Sequence, residues 1–204
     1  TQHLSAYQLT IEKNTKFYAD MRKGKLQPAP DTQQADFYHA TNDVLTHAGF
    51  KQYEVSNYCK NEAQCQHNKH VWTYGSYIGI GAGAHGRTHQ ADGALLATRN
   101  HKMPEKYIGH VLEHGHGRYE IERVTPENQV TEALLLGLRL SEGLPLARLE
   151  ALNQKPWQET LNQEGVTLMK TNGFLVDDAD CLKPTPQGMA MLEGVLGYLL
   201  DAPR

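Results

Sequence analysis

Cysteine is scarce in this sequence, long apolar runs are missing, and neither sign of charge dominates. The three cysteines, Cys59, Cys65 and Cys181, are an odd number spread over 204 residues. A secreted disulfide framework uses more cysteines, in even number, so a reducing, cytoplasmic setting is expected. The longest apolar runs, such as residues 78–84, fall far short of the roughly 20 residues that cross a bilayer, so no membrane span is expected. Twenty Lys and Arg stand against 23 Asp and Glu, a formal net charge of −3. No global positive field is present to recruit nucleic acid or an anionic membrane. The chain opens Thr-Gln-His-Leu-Ser, with no initiator Met and no signal-type segment, which reads as a start inside a longer protein.

What is present is enough apolar material for a core, 39% of residues, and 11 histidines, many of them between His67 and His116. His3–Ile11 has the residues of a strand. Residues 12–30, with Gly24, Pro28 and Pro30, read as a loop. A helix follows over 31–48, with Asp31 as N-cap, Gln34 as its capping-box partner, and Phe37, Tyr38, Val44, Leu45 and Ala48 on one side. Gly49 suits the position after its end. Phe50–Tyr58 reads as a second strand. Strand, helix, strand predicts a βα unit in which the two strands are parallel neighbours. Tyr77–Ala84 reads as a short apolar strand, Asp92-Gly93 as a hairpin turn, Pro104–His114 as a helix, and 114–117 as a linker of solvated histidines.

Beyond about residue 119 the pattern turns helical. Thr125-Pro126 starts one helix, Leu146–Leu152 and Trp157–Thr171 supply two more, 174–183 forms a hairpin, and Thr185-Pro186 starts the last. Helix, helix, hairpin, helix is the order of a winged-helix domain. Helix 157–171 carries Lys170 beside Glu159 and Glu164, poor electrostatics for a DNA phosphate backbone.

Three segments carry candidate chemistry. Cys59, Cys65, His67 and His70 offer zinc-type donors, although their spacing matches no common finger. The same stretch reads alternatively as a plain loop, or as a ligand site faced by His67 and Asn68. Residues 79–86, Gly-Ile-Gly-Ala-Gly-Ala-His-Gly, contain a dinucleotide-type glycine spacing, but the hairpin that follows argues against a Rossmann turn. Alternating glycines otherwise permit close approach of a flat ligand or of another backbone. Glu54, Ser56 and Asn57 end a strand, where they reach either a pocket or solvent.

Taken in order, His-Leu-Ser-Ala-Tyr-Gln-Leu-Thr-Ile-Glu (3–12), Tyr-Glu-Val-Ser-Asn-Tyr (53–58), His67-Asn68 with Trp72, and Tyr-Ile-Gly-Ile-Gly-Ala-Gly-Ala-His-Gly (77–86) resemble the carboxyl-terminal part of the HemW-like radical SAM heme chaperone family. That family is related to the oxygen-independent coproporphyrinogen III oxidases. The resemblance implies an α/β fold: the last strands of an incomplete (β/α)6 radical SAM barrel over residues 1–118, then a winged-helix-like, α-rich domain over 119–204. It implies heme and a heme-accepting protein as partners, with S-adenosyl-L-methionine and a [4Fe-4S] cluster in the full-length protein. The family's cluster motif, Cys-x3-Cys-x2-Cys, does not occur in this chain. The family's His-Asn-x-x-Tyr-Trp motif maps onto His67, Asn68 and Trp72, with Val71 in place of Tyr and His70 as an extra imidazole. His67 is then the implied iron ligand, Asn68 and Trp72 its neighbours, and Leu9, His85, Gly79 and Gly81 lie near the implied S-adenosyl-L-methionine site. The alternatives are oxidative decarboxylation of coproporphyrinogen III on the same scaffold and, from another class, a winged-helix nucleic-acid binder.

Overall fold

The structure, a computed structural model, describes residues 1–200. It divides into two compact units, one over Thr1–Cys65 and one from Gln66 onward. The last four residues of the expected terminal domain lie outside the described residues. The fold is mixed α/β, as the sequence predicts.

The first unit holds β1 (His3–Ser5), α1 (Lys16–Arg22), α2 (Asp31–His47), β2 (Lys51–Glu54) and β3 (Asn57–Cys59). Its sheet has the order β1-β3-β2, and both pairings are antiparallel. This overturns the expected parallel neighbours. The run 50–58 is not one strand but a hairpin folded at Val55-Ser56, and its second arm inserts between the other two. The turn is fixed by Glu54, whose carboxylate accepts hydrogen bonds from the Ser56 amide (2.9 Å) and Asn57 Nδ2 (2.5 Å). Ser5 Oγ donates to Asn57 Oδ1 at 2.6 Å and ties in β1. Glu54 and Asn57 are fully buried hairpin residues, not a solvated strand end. Tyr58, the next residue after Asn57, is pushed up to about 12 by burial, with Tyr38 and Glu54 adding to the shift.

β1 stops at Ser5 because the ladder to β3 ends there; Tyr7 and Leu9 beyond it are exposed. The segment expected as loop contains α1, capped by Thr15, whose Oγ1 accepts from the Tyr18 amide. α2 begins at Asp31 itself, so Asp31 occupies the first turn, where a negative charge suits the helix dipole, and it is not the cap. Gln34 Nε2 instead donates to the Ala29 carbonyl. Its half-buried side carries Tyr38, Thr41 and Leu45, while Phe37 and Val44 face outward. Gly49 follows the helix at φ +81°, the left-handed conformation expected of it.

The second unit begins with α3 (Gln66–Trp72). An antiparallel meander follows: β4 (His85–His89), β5 (Leu95–Asn100) and β6 (Arg118–Arg123), with α4 (Pro104–His114) between the last two. The Asp92-Gly93 hairpin turn is present, with Gly93 at φ +81° and Asp92 Oδ1 accepting from the Ala94 amide. Residues 114–117 are not a free linker. Gly115 caps α4 in the left-handed conformation, and the chain enters β6 directly. The sequence-based boundary between residues 118 and 119 falls within β6, inside this unit.

The helical remainder comprises α5 (Pro126–Gly137), β7 (Leu144–Pro145), α6 (Leu146–Asn153), α7 (Trp157–Thr160), α8 (Gln163–Thr171), β8 (Cys181–Leu182), α9 (Pro186–Ala190) and α10 (Leu192–Leu200). Thr125, Asn162 and Thr185 cap α5, α8 and α9 through side-chain oxygens. The expected 157–171 helix is split because Leu161 is extended and Asn162 starts a new helix. The expected hairpin arm 181–183 pairs mainly with β7, and touches the 174–176 arm through the Leu175–Pro184 bridge. The core is Leu134, Leu138, Leu149, Val166, Leu196 and Leu199 among others. Each such side chain contributes about 1.5–3 kcal/mol on burial. Among the described residues no helix is long and apolar enough to cross a membrane.

Candidate functional site

α3 presents the motif residues. His67 is exposed, Asn68 and Trp72 are half-buried. Residues four apart share a helix face, so Asn68 and Trp72 lie together, while His67 is turned about 140° from Trp72. The Trp72 ring is covered by the Arg139 guanidinium, 4.5 Å from the ring centroid. Its indole Nε1 is buried with no hydrogen-bond partner. His70 is committed locally: its Nε2 donates to the Ser76 carbonyl at 2.7 Å. A Cβ on Gly75 would stand 2.3 Å from that imidazole, so the ring and the glycine backbone are in close contact. His70 thus staples the turn after α3 through Nε2, and both His67 and His70 are exposed residues.

That turn leads to a half-buried ionic network that sequence reasoning missed. Tyr74 Oη donates to Glu132 Oε2 at 2.7 Å. Arg87 on β4 donates to both carboxylate oxygens of Glu132 on α5, at 2.9 and 2.7 Å. Desolvation pushes the Glu132 carboxyl upward, but the Arg87 and Tyr74 hydrogen bonds more than offset it and hold it below its ordinary value. The hydrogen bond to Glu132 in turn raises Arg87, against its own desolvation. Burial and the Glu132 hydrogen bond push Tyr74 strongly upward. Three residues spaced over 58 positions show no local signal, and only the folded chain joins them.

Residues 77–84 are not a strand. Tyr77 bridges Arg87, and Ile78 and Ile80 point into solvent. The segment is stitched by Asn100, whose Nδ2 donates to the carbonyls of Gly79 and Gly81, and by Tyr107 Oη, which accepts from the Gly81 amide. A Cβ on Gly79 would sit 2.3 Å from the His85 carbonyl oxygen, so this glycine permits backbone to meet backbone. Gly79 and His85 are thus brought together, and Gly81 sits beside them at φ +98°. A strand, β4, follows these glycines where a dinucleotide fold needs a helix. The segment also borders a cavity of about 360 Å³, lined by Ile78, Ile80, Thr98, Tyr107, His116 and Arg118. Leu9 lies in the other unit, exposed, at the edge of an apolar cavity of about 300 Å³ with Tyr7, Phe37 and Tyr38.

The zinc-type set is not assembled. Cys59 is buried in β3, where burial above all raises its thiol. Among the described residues no three His, Cys, Asp or Glu side chains already surround one point. Cys181 is raised as well, by burial and then by Asp178. The present cysteines therefore do not fit an iron–sulfur cluster.

Comparison with known proteins agrees with this mixed α/β chain and its helical end. Residues 124–191 match the HemN C-terminal domain. The structure is similar to that of the Escherichia coli coproporphyrinogen III oxidase HemN, described as a radical SAM enzyme. The TM-score is 0.65 at 14% identity, over 87% of this chain and 44% of that one. The chain is similar to HemW proteins. It is 35% identical to the heme chaperone HemW of Escherichia coli and 30% identical to that of Buchnera aphidicola, in both cases over 97% of this chain and 50% of the relative. It is 35% identical to the mouse mitochondrial radical S-adenosyl methionine domain-containing protein 1, over 97% of this chain and 46% of that protein. The chain thus spans about half the length of the curated relatives it matches.

Proposed function

We propose that this chain is the carboxyl-terminal part of a radical SAM heme chaperone, which holds heme and passes it to an acceptor protein. Similarity to HemW proteins over 97% of the chain supports the reading. The structural observation that carries it is the exposed imidazole of His67 on α3, beside a His70 already engaged elsewhere. A neutral imidazole is a heme-iron ligand. In this reading His67 meets the iron of the cargo, Asn68 orients the imidazole or a propionate, and Trp72 supplies apolar contact. S-adenosyl-L-methionine approaches the Gly79, Gly81 and His85 segment, and the cluster is held by no cysteine of this chain. Residues 1–118 are the barrel part and 119–204 the winged-helix-like terminal domain, a division supported by the family match that begins at residue 124. The location is cytoplasmic, in line with the bacterial relatives; the mouse relative is named as mitochondrial.

The test is a heme titration of the full chain followed at the Soret band. His67→Ala is expected to shift the band or weaken binding at least several-fold, and His70→Ala to leave both unchanged. Loss with His70→Ala alone reassigns the ligand, and no heme binding by the wild type refutes the proposal. The likeness to coproporphyrinogen III oxidase favours a second reading, oxidative decarboxylation of coproporphyrinogen III. Porphyrinogen turnover by the full-length protein would support it.

A further inference from the structure

Tyr74 holds a backbone conformation that its side chain does not favour. It follows α3 at φ +60°, in the left-handed region, with 3% of its surface exposed. A bulky aromatic residue is an outlier there. Such a conformation persists only where the surroundings over-determine it, and such residues cluster at functional sites.

The surroundings of Tyr74 fix it from three directions. Its amide donates to the carbonyl of Val71, on α3, at 2.9 Å. Its carbonyl accepts from Nη2 of Arg148, on α6, at 3.2 Å. Its hydroxyl donates to Glu132 on α5, and Arg87 on β4 holds that carboxylate with two bonds of its own. Tyr74 therefore ties the end of α3 to α5 and α6, and through Glu132 to β4.

α3 needs such an anchor. It has seven residues, and a helix that short is not stable by itself. The Lys69–Glu142 pair, at 2.9 Å, also reaches α3, but it is largely solvated and holds weakly. His67 is the second residue of α3, and Tyr74 lies beyond the last. Seven residues of helical rise separate them by about 10 Å, so a tilt of about 10° at the Tyr74 end shifts His67 by about 2 Å. A site is held to within roughly 0.5 Å when it works.

We propose that Tyr74, locked by Glu132 and Arg87, is a positioning residue for heme binding: it sets the angle at which α3 presents His67 to the iron. This rests on the heme reading above. Tyr74 acts through α3 and touches no cargo.

The experiment is heme titration of the full chain, at a temperature where every variant is folded by circular dichroism. Affinity, Soret position and iron spin state are read at saturation. Tyr74→Phe keeps the ring and removes the hydroxyl. It is expected to weaken heme binding by about 3- to 10-fold and to move the Soret band or the spin state. Glu132→Gln should act in the same direction. Asn162→Ala, which removes only the α8 cap, should change neither spectrum nor affinity, and this separates positioning from stability. In a His67→Ala background Tyr74→Phe should add no more than about twofold, since it acts through that imidazole. The proposal is overturned if Tyr74→Phe keeps the wild-type affinity and spectrum, if Asn162→Ala alters them as much, or if the effect is undiminished in the His67→Ala background. A wild type that binds no heme refutes the heme reading and this inference together. Binding that needs His67 but ignores Tyr74→Phe leaves the heme reading standing and sinks this inference alone.

Discussion

At the scale of single residues, Glu132 is the clearest point of dependence. It receives two bonds from Arg87 and one from Tyr74, with 27% of its side chain exposed against 20% for Arg87. Glu132→Gln keeps the shape but removes the charge that answers the guanidinium. It should destabilise the chain by about 1–3 kcal/mol in urea unfolding. The pH dependence follows from the lowered carboxyl. A depressed folded-state value contributes stability that is complete above the ordinary value of 4.5 and is lost as pH falls through the folded value. The wild-type urea midpoint should therefore fall below about pH 4.5 by more than that of Glu132→Gln. Equal losses in both would show that this carboxylate contributes nothing. His67 and His70 make the same lesson at a different place: three residues apart, identical in type and both exposed, they differ because His70 Nε2 is bonded to the Ser76 carbonyl.

At the scale of elements, local chemistry was legible where it is self-contained. The Asp92-Gly93 turn, the Thr125 and Thr185 caps and Gly49 all act within a few residues of themselves, and they stand where the sequence puts them. Strand partners are different. Nothing in 50–58 announces that Val55-Ser56 folds back, because the device that closes the turn is a buried carboxylate meeting an amide and a side-chain amide. The glycine-rich segment misled for a related reason: its apolar residues Ile78 and Ile80 look like strand material, yet the backbone is tied by Asn100 from another strand. Gly79→Ala should thus cost about 1–3 kcal/mol, since the new Cβ meets a backbone oxygen at 2.3 Å and overpacking of that kind is not relieved by a side-chain rotation. Asn162→Ala should cost about 1 kcal/mol through loss of the α8 cap. Thermal or urea unfolding of both variants measures these differences; an Asn162→Ala variant as stable as wild type would mean the cap is replaced by water.

At the scale of the whole molecule, charge and surface argue against the nucleic-acid alternative. Lys170 on α8 pairs with Asp177 at 2.9 Å, and the hairpin tip carries Asp178 and Asp180 besides. Duplex DNA at low salt should bind no tighter than the non-specific range of roughly 10⁻⁴ to 10⁻⁶ M, as read by fluorescence anisotropy. Tighter, salt-dependent binding would revive that alternative. The sequence alone determined the α/β class, the change to helical character beyond residue 119 and the HemW-like resemblance. Composition, periodicity and ordered motifs are properties of the chain itself. Only the tertiary structure decided that β3 lies between β1 and β2 and that Glu132 joins Arg87 to Tyr74. Each of these depends on which distant groups can bury and satisfy one another, and no spacing along the chain encodes that.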